Sequence, residues 1–262
     1  MNERIENKLR DIAAERRIEI LFASEAGSRC CGWDRVDGTS DYDVRFIYAE
    51  PRRYYFSLAE KPHAITLESA SDGLDFQGLE LRHALKLISN SNPNLLEQIF
   101  SPIVWKADYA ADFQRLAEAH FKKTASFYHY LSMAKGNWKD WERSFAYAGQ
   151  GEIKPLKKMM VVVRAVLLMI AVQDEGFKYT ERFGKDGPYE LAKKYMTSQE
   201  QLAFHACVLA RRSIAEREPA QEETLARWVS SKLNTLQFIP PPKGDARNLN
   251  DLEAFFMAVV LY

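Results

Sequence analysis

The sequence predicts an α+β protein in which a small mixed sheet is followed by a helical part. Two observations carry that prediction. Strand-like runs are confined to residues 18–78, and from Leu79 onward the apolar residues recur with a helical period. Strands grouped first and helices grouped after are the pattern of segregated α+β folds rather than of alternating βαβ units. The predicted boundary lies near residue 106, with one domain over 1–106 and a helical domain over 107–262.

Residues 2–17 place Ile5, Leu9, Ile12 and Ala13 on one helical face, with charge on the other. "IEILFAS" (18–24) and "VRFIY" (44–48) read as strands, and Pro51 with its arginines ends the second. "HAITLES" (63–69) is a third strand, "SDG" (71–73) a turn, and "LDFQG" (74–78) a short fourth strand. A helix from Leu79 to Ile88 is interrupted by "NSNPN", where Pro93 starts the next, and "SPIVW" (101–105) closes the segment. Helices are then predicted over 109–135, 154–174, 188–195, 198–215, 219–236 and 249–261. Breaks fall at "GQGE" and "FGKDGP", and "IPPPKGD" (239–245) is a stiff linker.

The totals exclude several classes. The chain has 262 residues and zero formal net charge, so no bulk field announces a nucleic-acid or membrane partner. The balance is uneven: residues 1–100 hold 13 basic and 17 acidic side chains, residues 101–262 hold 23 and 19. Cys30, Cys31 and Cys207 lack zinc-ligand spacing and are expected to be reduced thiols of a cytoplasmic protein. The charged N-terminus lacks the apolar core of a signal peptide. "MMVVVRAVLLMIAV" (159–172) falls short of the roughly 20 residues that span a bilayer and reads as a buried helix of a soluble protein.

The chemistry is expected in "ILFASEAGSRCCGWDRVDGTSDYDVRFIY" (20–48). Residues i and i+2 of a strand face the same side, so Asp41 and Asp43 present two carboxylates to one point. A divalent cation relieves their repulsion, and Mg²⁺ suits such oxygen ligands together with phosphates. The Gly27-Ser28 turn can offer backbone N–H groups and a hydroxyl to an anion. On a helix further on, Lys157 and Arg164 share a face beside Lys158, and Arg164 inside an apolar run needs either a phosphate or a structural partner.

The order strand, GS, short loop, DxD, strand resembles the DNA polymerase beta-like nucleotidyltransferase superfamily. "GSRCCGW", "SDYDVRFIY", "LDFQGLELRHALKLISNSNPNLLEQIFSPIVW" and "YHYLSMAKGN" are similar to its bacterial YcgL-like, RNA-repair-associated branch, over roughly residues 20–170. The resemblance implies a nucleotidyltransferase domain with a helical domain closing its cleft, and a third carboxylate completing a metal triad. Asp75 is the expected third acid, with Glu68, Asp72 and Glu80 as competitors; Glu80 also reads as a helix-start residue favoured by the helix dipole. It further implies nucleotide contacts from Gly27, Ser28, Arg29, Tyr128, Lys157, Lys158 and Arg164, with His129 and Lys135 near the same cleft.

The expected activity is Mg²⁺-dependent (or Mn²⁺-dependent) transfer of an NMP unit from a nucleoside triphosphate to an acceptor hydroxyl, an RNA end among the candidates. Asp41, Asp43 and Asp75 would hold metal, with Asp75 the expected proton acceptor. A non-catalytic nucleotide or RNA-end binding protein of the same fold is the alternative. A glycosyltransferase using DxD for a sugar nucleotide is disfavoured by the GS turn and by the lack of a doubly wound pattern.

Overall fold

The computed structural model describes residues 1–58, 62–69, 73–146, 154–174, 177–179, 186–236, 238–242 and 248–261. The expected α+β class is borne out, with five strands in one mixed sheet accompanied by helices. The elements run α1 (Asn2–Arg16), β1 (Glu19–Glu25), α2 (Gly27–Cys30), β2 (Tyr42–Ala49), α3 (Arg52–Tyr55), β3 (Ala64–Ser69), β4 (Leu74–Glu80), α4 (Leu81–Ser89), α5 (Pro93–Ile99) and β5 (Val104–Lys106). Helices α6 (Ala110–Ala119), α7 (Lys123–Ala146), α8 (Lys154–Ala171), α9 (Gly187–Tyr195), α10 (Ser198–Arg211), α11 (Pro219–Leu236) and α12 (Asn250–Leu261) complete them. Residues 71 and 72 of the expected turn, and with them Asp72, lie outside the described residues. So do the whole "GQGE" break, the first half of "FGKDGP" and the end of the "IPPPKGD" linker.

Two compact units share the chain. A sheet unit comprises Met1–Cys30, Asp41–Phe121 and Asp245–Tyr262, and a helical unit comprises Cys31–Ser40 and Lys122–Gly244. The sheet unit therefore draws in α6 and α12 and gives up the segment between α2 and β2.

Within the sheet unit the strand order is β3-β4-β2-β1-β5. Strand β2 lies antiparallel to β1 and parallel to β4. Ile5, Leu9 and Ile12 of α1 pack with Ile20, Val44, Phe46, Tyr48, Leu74 and Phe76 in one core cluster. Elsewhere in the unit the ring of Phe113 (α6) meets Phe22 of β1 at 6.1 Å and Phe255 of α12 at 5.3 Å. The apolar "SPIV" run reaches into β5, a strand the sequence reading did not expect. Three residues carry too little alternation to announce a strand, and β5 exists because β1 offers it an edge.

The helix expected from Leu79 begins at Leu81, because Leu79 and Glu80 continue the β4 ladder. Glu80 is the N-cap of α4, its carboxylate accepting from the N–H groups of Arg82 and His83, which realises the helix-start reading of that residue. The helix expected over 109–135 is two, α6 and α7, broken at His120. That ring bonds to Asp251 at 2.8 Å, and its carbonyl accepts from the Ser91 hydroxyl.

In the helical unit α7 and α8 pair, and α8 is apolar on nearly every side, with Met159, Met160, Val162, Val163, Val166 and Leu167 buried. Helix α10 starts with a Thr197–Glu200 capping box. Among the described residues no helix is long and apolar enough to cross a membrane.

Gly78 stands opposite Phe46 in the β2–β4 pairing, and a Cβ there would lie 2.3 Å from the Phe46 ring. Gly78→Ala is therefore expected to destabilise the protein by about 1–3 kcal/mol through overpacking, read as a lower urea midpoint at unchanged slope. An unchanged midpoint would show that Phe46 moves aside freely.

Candidate active site

The expected carboxylates gather at the N-terminal ends of β2 and β4. Asp43 and Asp75 are direct partners in the parallel register, so two acids that lie 32 residues apart in sequence face one another across adjacent strands. Arg45, on the same strand face as Asp43, spans both. Its guanidinium lies 3.4 Å from Asp43 Oδ1 and 3.3 Å from Asp75 Oδ2. The second carboxylate oxygen of Asp75, Oδ1, is buried and finds no hydrogen-bond partner among the described residues. Such an orphan acceptor is costly and marks a place where a donor or cation is called for.

Gly27 explains its own identity. Its φ of +65° is left-handed, and a Cβ on it would stand 1.9 Å from Asp43 Oδ2. The missing side chain lets the Asp43 carboxylate lie against the backbone where β1 turns into α2. Ser28 and Arg29 sit in that single helical turn. Arg29 lies over the Tyr42 ring at 3.7 Å and donates from Nε to the Asp41 carbonyl at 3.2 Å. Asp41 itself is exposed and precedes β2, with its carboxylate close to Gly73. Of the competitors for third acid, Glu80 is committed to capping α4, and Glu68 is opposite Asp75 by register on the other side of β4.

The remaining expected nucleotide contacts belong to the helical unit. Tyr128 is half exposed on α7, Lys157 is exposed on α8, and Arg164 is partly buried on the same helix. Lys158 is engaged by Asp140 of α7 at 2.6 Å. His129 and Lys135 also lie on α7.

Two residues were not singled out from sequence. Arg45 could have been, since "DYDVR" places it two residues after Asp43 on the same face. Glu25 could have been suspected as an acid ending an apolar strand. It is completely buried, and its carboxylate accepts from the Asp43 backbone N–H at 2.9 Å and from Trp105 Nε1 at 3.2 Å. Burial raises its pKa from 4.5 to about 7. The Asp43 charge pushes the same way, and the two hydrogen bonds and Arg29 partly oppose the rise.

The donor chemistry fits a hard cation: carboxylate oxygens, one of them an orphan, beside a backbone cradle. The Arg45 contacts that now balance the charge are at the long end of hydrogen-bonding range. Among the described residues no three His, Cys, Asp or Glu side chains already converge as a metal group.

A model of the RNA repair pathway DNA polymerase beta family matches residues 1–252. The chain belongs to this family. The resemblance carried by the GS and DxD segments is thereby borne out, and membership places the chain among polymerase beta-like nucleotidyltransferases. A relative, "Uncharacterized protein YcgL" of Bacillus subtilis (strain 168), is 38% identical over 178 residues, which cover 67% of this chain and 65% of that protein. The match thus spans slightly less than two thirds of the relative's length. A crystal structure of a nucleotidyltransferase-like protein from Exiguobacterium sibiricum 255-15 aligns over 97% of this chain and 79% of its own. Its identity is 10% and its TM-score 0.34, a likeness that carries no argument here.

Two expectations follow from this geometry. Because folded Glu25 holds its proton more tightly than the unfolded chain does, its contribution to stability is greatest below pH 4.5. That contribution falls as pH rises to about 7, by up to about 3 kcal/mol. Urea unfolding at pH 5 and pH 8 should show this loss in wild type and a smaller one in Glu25→Gln; equal losses would mean Glu25 does not titrate there. Gly27→Ala should keep the secondary structure, since the strain is local, yet displace the Asp43 carboxylate. Chemical-shift changes centred on Asp43 and Ala26 would report this, and a spectrum changed only at residue 27 would contradict it.

Proposed function

We propose that this chain is a Mg²⁺-dependent nucleotidyltransferase that moves an NMP unit from a nucleoside triphosphate to an acceptor hydroxyl, with an RNA end as the acceptor. The observation that carries the reading is the in-register pair Asp43–Asp75 beside the Cβ-free cradle of Gly27. The family's description, an RNA repair pathway, supports the acceptor.

In this reading Asp43 and Asp75, joined by Asp41, hold the metal in place of the long Arg45 contacts. The metal, Mg²⁺ or Mn²⁺, would neutralise phosphate charge and lower the pKa of the attacking hydroxyl. Arg45 would then share the charge of the bound triphosphate. The Gly27-Ser28 turn and Arg29 would donate to phosphate oxygens, through N–H, Oγ–H and guanidinium groups. Asp75, whose orphan Oδ1 has an acceptor position to spare, would take the acceptor proton. Catalysis of this kind is chiefly positioning and charge neutralisation. From the helical unit, the proposed contributors are the exposed Tyr128 and Lys157, with Lys158 and Arg164 secondary because the first already serves Asp140 and the second is partly buried.

Arg45 also gives weight to a second reading, a nucleotide or RNA-end binding protein without turnover, in which the guanidinium permanently supplies the positive charge between the two acids. The two separate by experiment. Thermal shifts with each of the four NTPs, with and without Mg²⁺, should show metal-dependent stabilisation that Asp41→Asn/Asp43→Asn abolishes. A labelled-NTP transfer assay with RNA oligonucleotides should then show NMP incorporation. Binding without incorporation favours the second reading, whereas no stabilisation by any NTP at millimolar concentration removes the transferase and leaves RNA-end binding, which titration with the RNA oligonucleotides decides.

A further inference from the structure

Two like charges set side by side by strand register need a cation, and the sequence supplies one two residues further along β2. Residues i and i+2 share a strand face, so Arg45 lies on the face of Asp43 and reaches back to the Asp43–Asp75 pair. Its Nη2 lies 3.4 Å from Asp43 Oδ1 and its Nη1 lies 3.3 Å from Asp75 Oδ2. Among the described residues no other acid pairs with Arg45.

The grip is loose. Charge-assisted N–H···O bonds settle at about 2.7–2.9 Å, and a guanidinium binds best when two of its N–H groups fork onto one carboxylate. Arg217 does this in the helical unit, holding Glu222 through two bonds of 2.8 Å. Arg45 instead makes one long contact to each of two acids, and the buried Asp75 Oδ1 still lacks a hydrogen-bond partner among the described residues. Its strand neighbours do not pin it. Gln77, opposite on β4, is exposed, and the hydroxyl of Ser24, opposite on β1, is engaged by the Gln98 carbonyl. All three charged side chains keep access to water, with 22% of Arg45, 30% of Asp43 and 26% of Asp75 exposed.

The charges decide what such a contact does. Two carboxylates and one guanidinium leave a net single negative charge, half of what the acids alone would offer. A divalent cation therefore meets a like charge already seated on Asp43 Oδ1 and Asp75 Oδ2. Displacing that charge strands a partly buried guanidinium, which is costly unless an anion takes it up. Phosphate oxygens can take it up, and they suit the guanidinium fork better than one long contact to each of two acids.

We propose that Arg45 is a built-in competitor for the metal: it keeps a free divalent cation off the Asp43–Asp75 pair and releases the pair when a triphosphate takes its guanidinium. The acids then bind metal tightly only together with nucleotide. This rests on the nucleotidyltransferase reading above and adds to it a coupling between the two ligands, which is reciprocal by linkage.

The test uses the full-length protein with Arg45→Gln, Arg45→Lys and Asp43→Asn/Asp75→Asn. Mn²⁺ is titrated without nucleotide, free Mn²⁺ being read from its electron paramagnetic resonance signal. Each of the four NTPs is then titrated by calorimetry at an excess of Mn²⁺ that keeps it as its metal complex. Arg45→Gln should bind Mn²⁺ alone about tenfold tighter than wild type, since a nearby like charge is gone. It should bind the NTP about tenfold more weakly, since a phosphate contact is gone. Arg45→Lys, which keeps the charge without the fork, should fall between, and it decides the matter alone if Arg45→Gln does not fold. Asp43→Asn/Asp75→Asn should abolish Mn²⁺ binding. The opposite signs are the signature, because a variant that merely loosened the sheet would weaken both ligands. Equal Mn²⁺ affinity in wild type and Arg45→Gln, still lost in Asp43→Asn/Asp75→Asn, overturns the competition and leaves the metal site standing. Unchanged NTP affinity in Arg45→Gln overturns the release. If neither wild type nor Arg45→Gln binds Mn²⁺ at millimolar concentration, the metal site fails and the competition with it. If wild type binds Mn²⁺ but no NTP, the transferase reading fails and the release with it.

Discussion

The parallel pairing of β2 with β4 is the constraint on which the sheet unit depends. It sets Asp43 opposite Asp75, an arrangement that repulsion between like charges would disfavour unless something paid for it. Three features hold it. Phe46 occupies the space left by Gly78, the opposite strand face is sunk into the core with α1, and Arg45 bridges the two carboxylates. A slip of one residue would turn Val44, Phe46 and Tyr48 away from the core they share with α1, so apolar packing enforces the register of the acids.

Glu25 ties the neighbouring strand into the same arrangement. Its carboxylate receives the Asp43 N–H and the Trp105 indole N–H, so one buried group fixes β2, β1 and β5 together where the candidate site begins. Ser101 adds to this by donating its hydroxyl to the Glu25 carbonyl at 2.6 Å, and Ser24 donates to the Gln98 carbonyl at 2.8 Å. A carboxylic acid in this position is costly when ionised, and its pKa near 7 reports that cost. Apolar side chains could fill the volume, but none could accept the two N–H groups.

The helical unit has a different logic. Its core runs along α8, which is apolar on nearly every face because α7, α9, α10 and α11 all pack on it. Charged pairs such as Lys158–Asp140 lie towards the surface, whereas the buried Glu222 carboxylate is paired with Arg217 at 2.8 Å and Arg211 is buried at the end of α10. The segment Cys31–Ser40, from between β1 and β2, belongs to this unit and bonds to the end of α10 through Val36 and Arg212.

Local pattern sufficed for much of this. The strand runs, the change of period near Leu79, the Pro93 helix start and the GS and DxD segments are carried by neighbouring residues, and they survive in the fold because propensity and burial agree there. The family was legible for the same reason, since its motifs are short and contiguous. What pairing decides was not legible. Strand β5 is too short to signal itself, and the meeting of Asp43 with Asp75 depends on a register that no stretch of sequence encodes alone. The importance of Glu25 and Arg45 follows from what lies across the strand rather than beside it in the chain. The attachment of residues 31–40 to α10 is equally a long-range fact, set by Trp33 finding Phe204 more than 170 residues away. The sequence by itself determined the elements and the chemical vocabulary of the site. Tertiary structure alone decided which acids meet and which unit holds the connecting loop, because those depend on burial shared between distant segments.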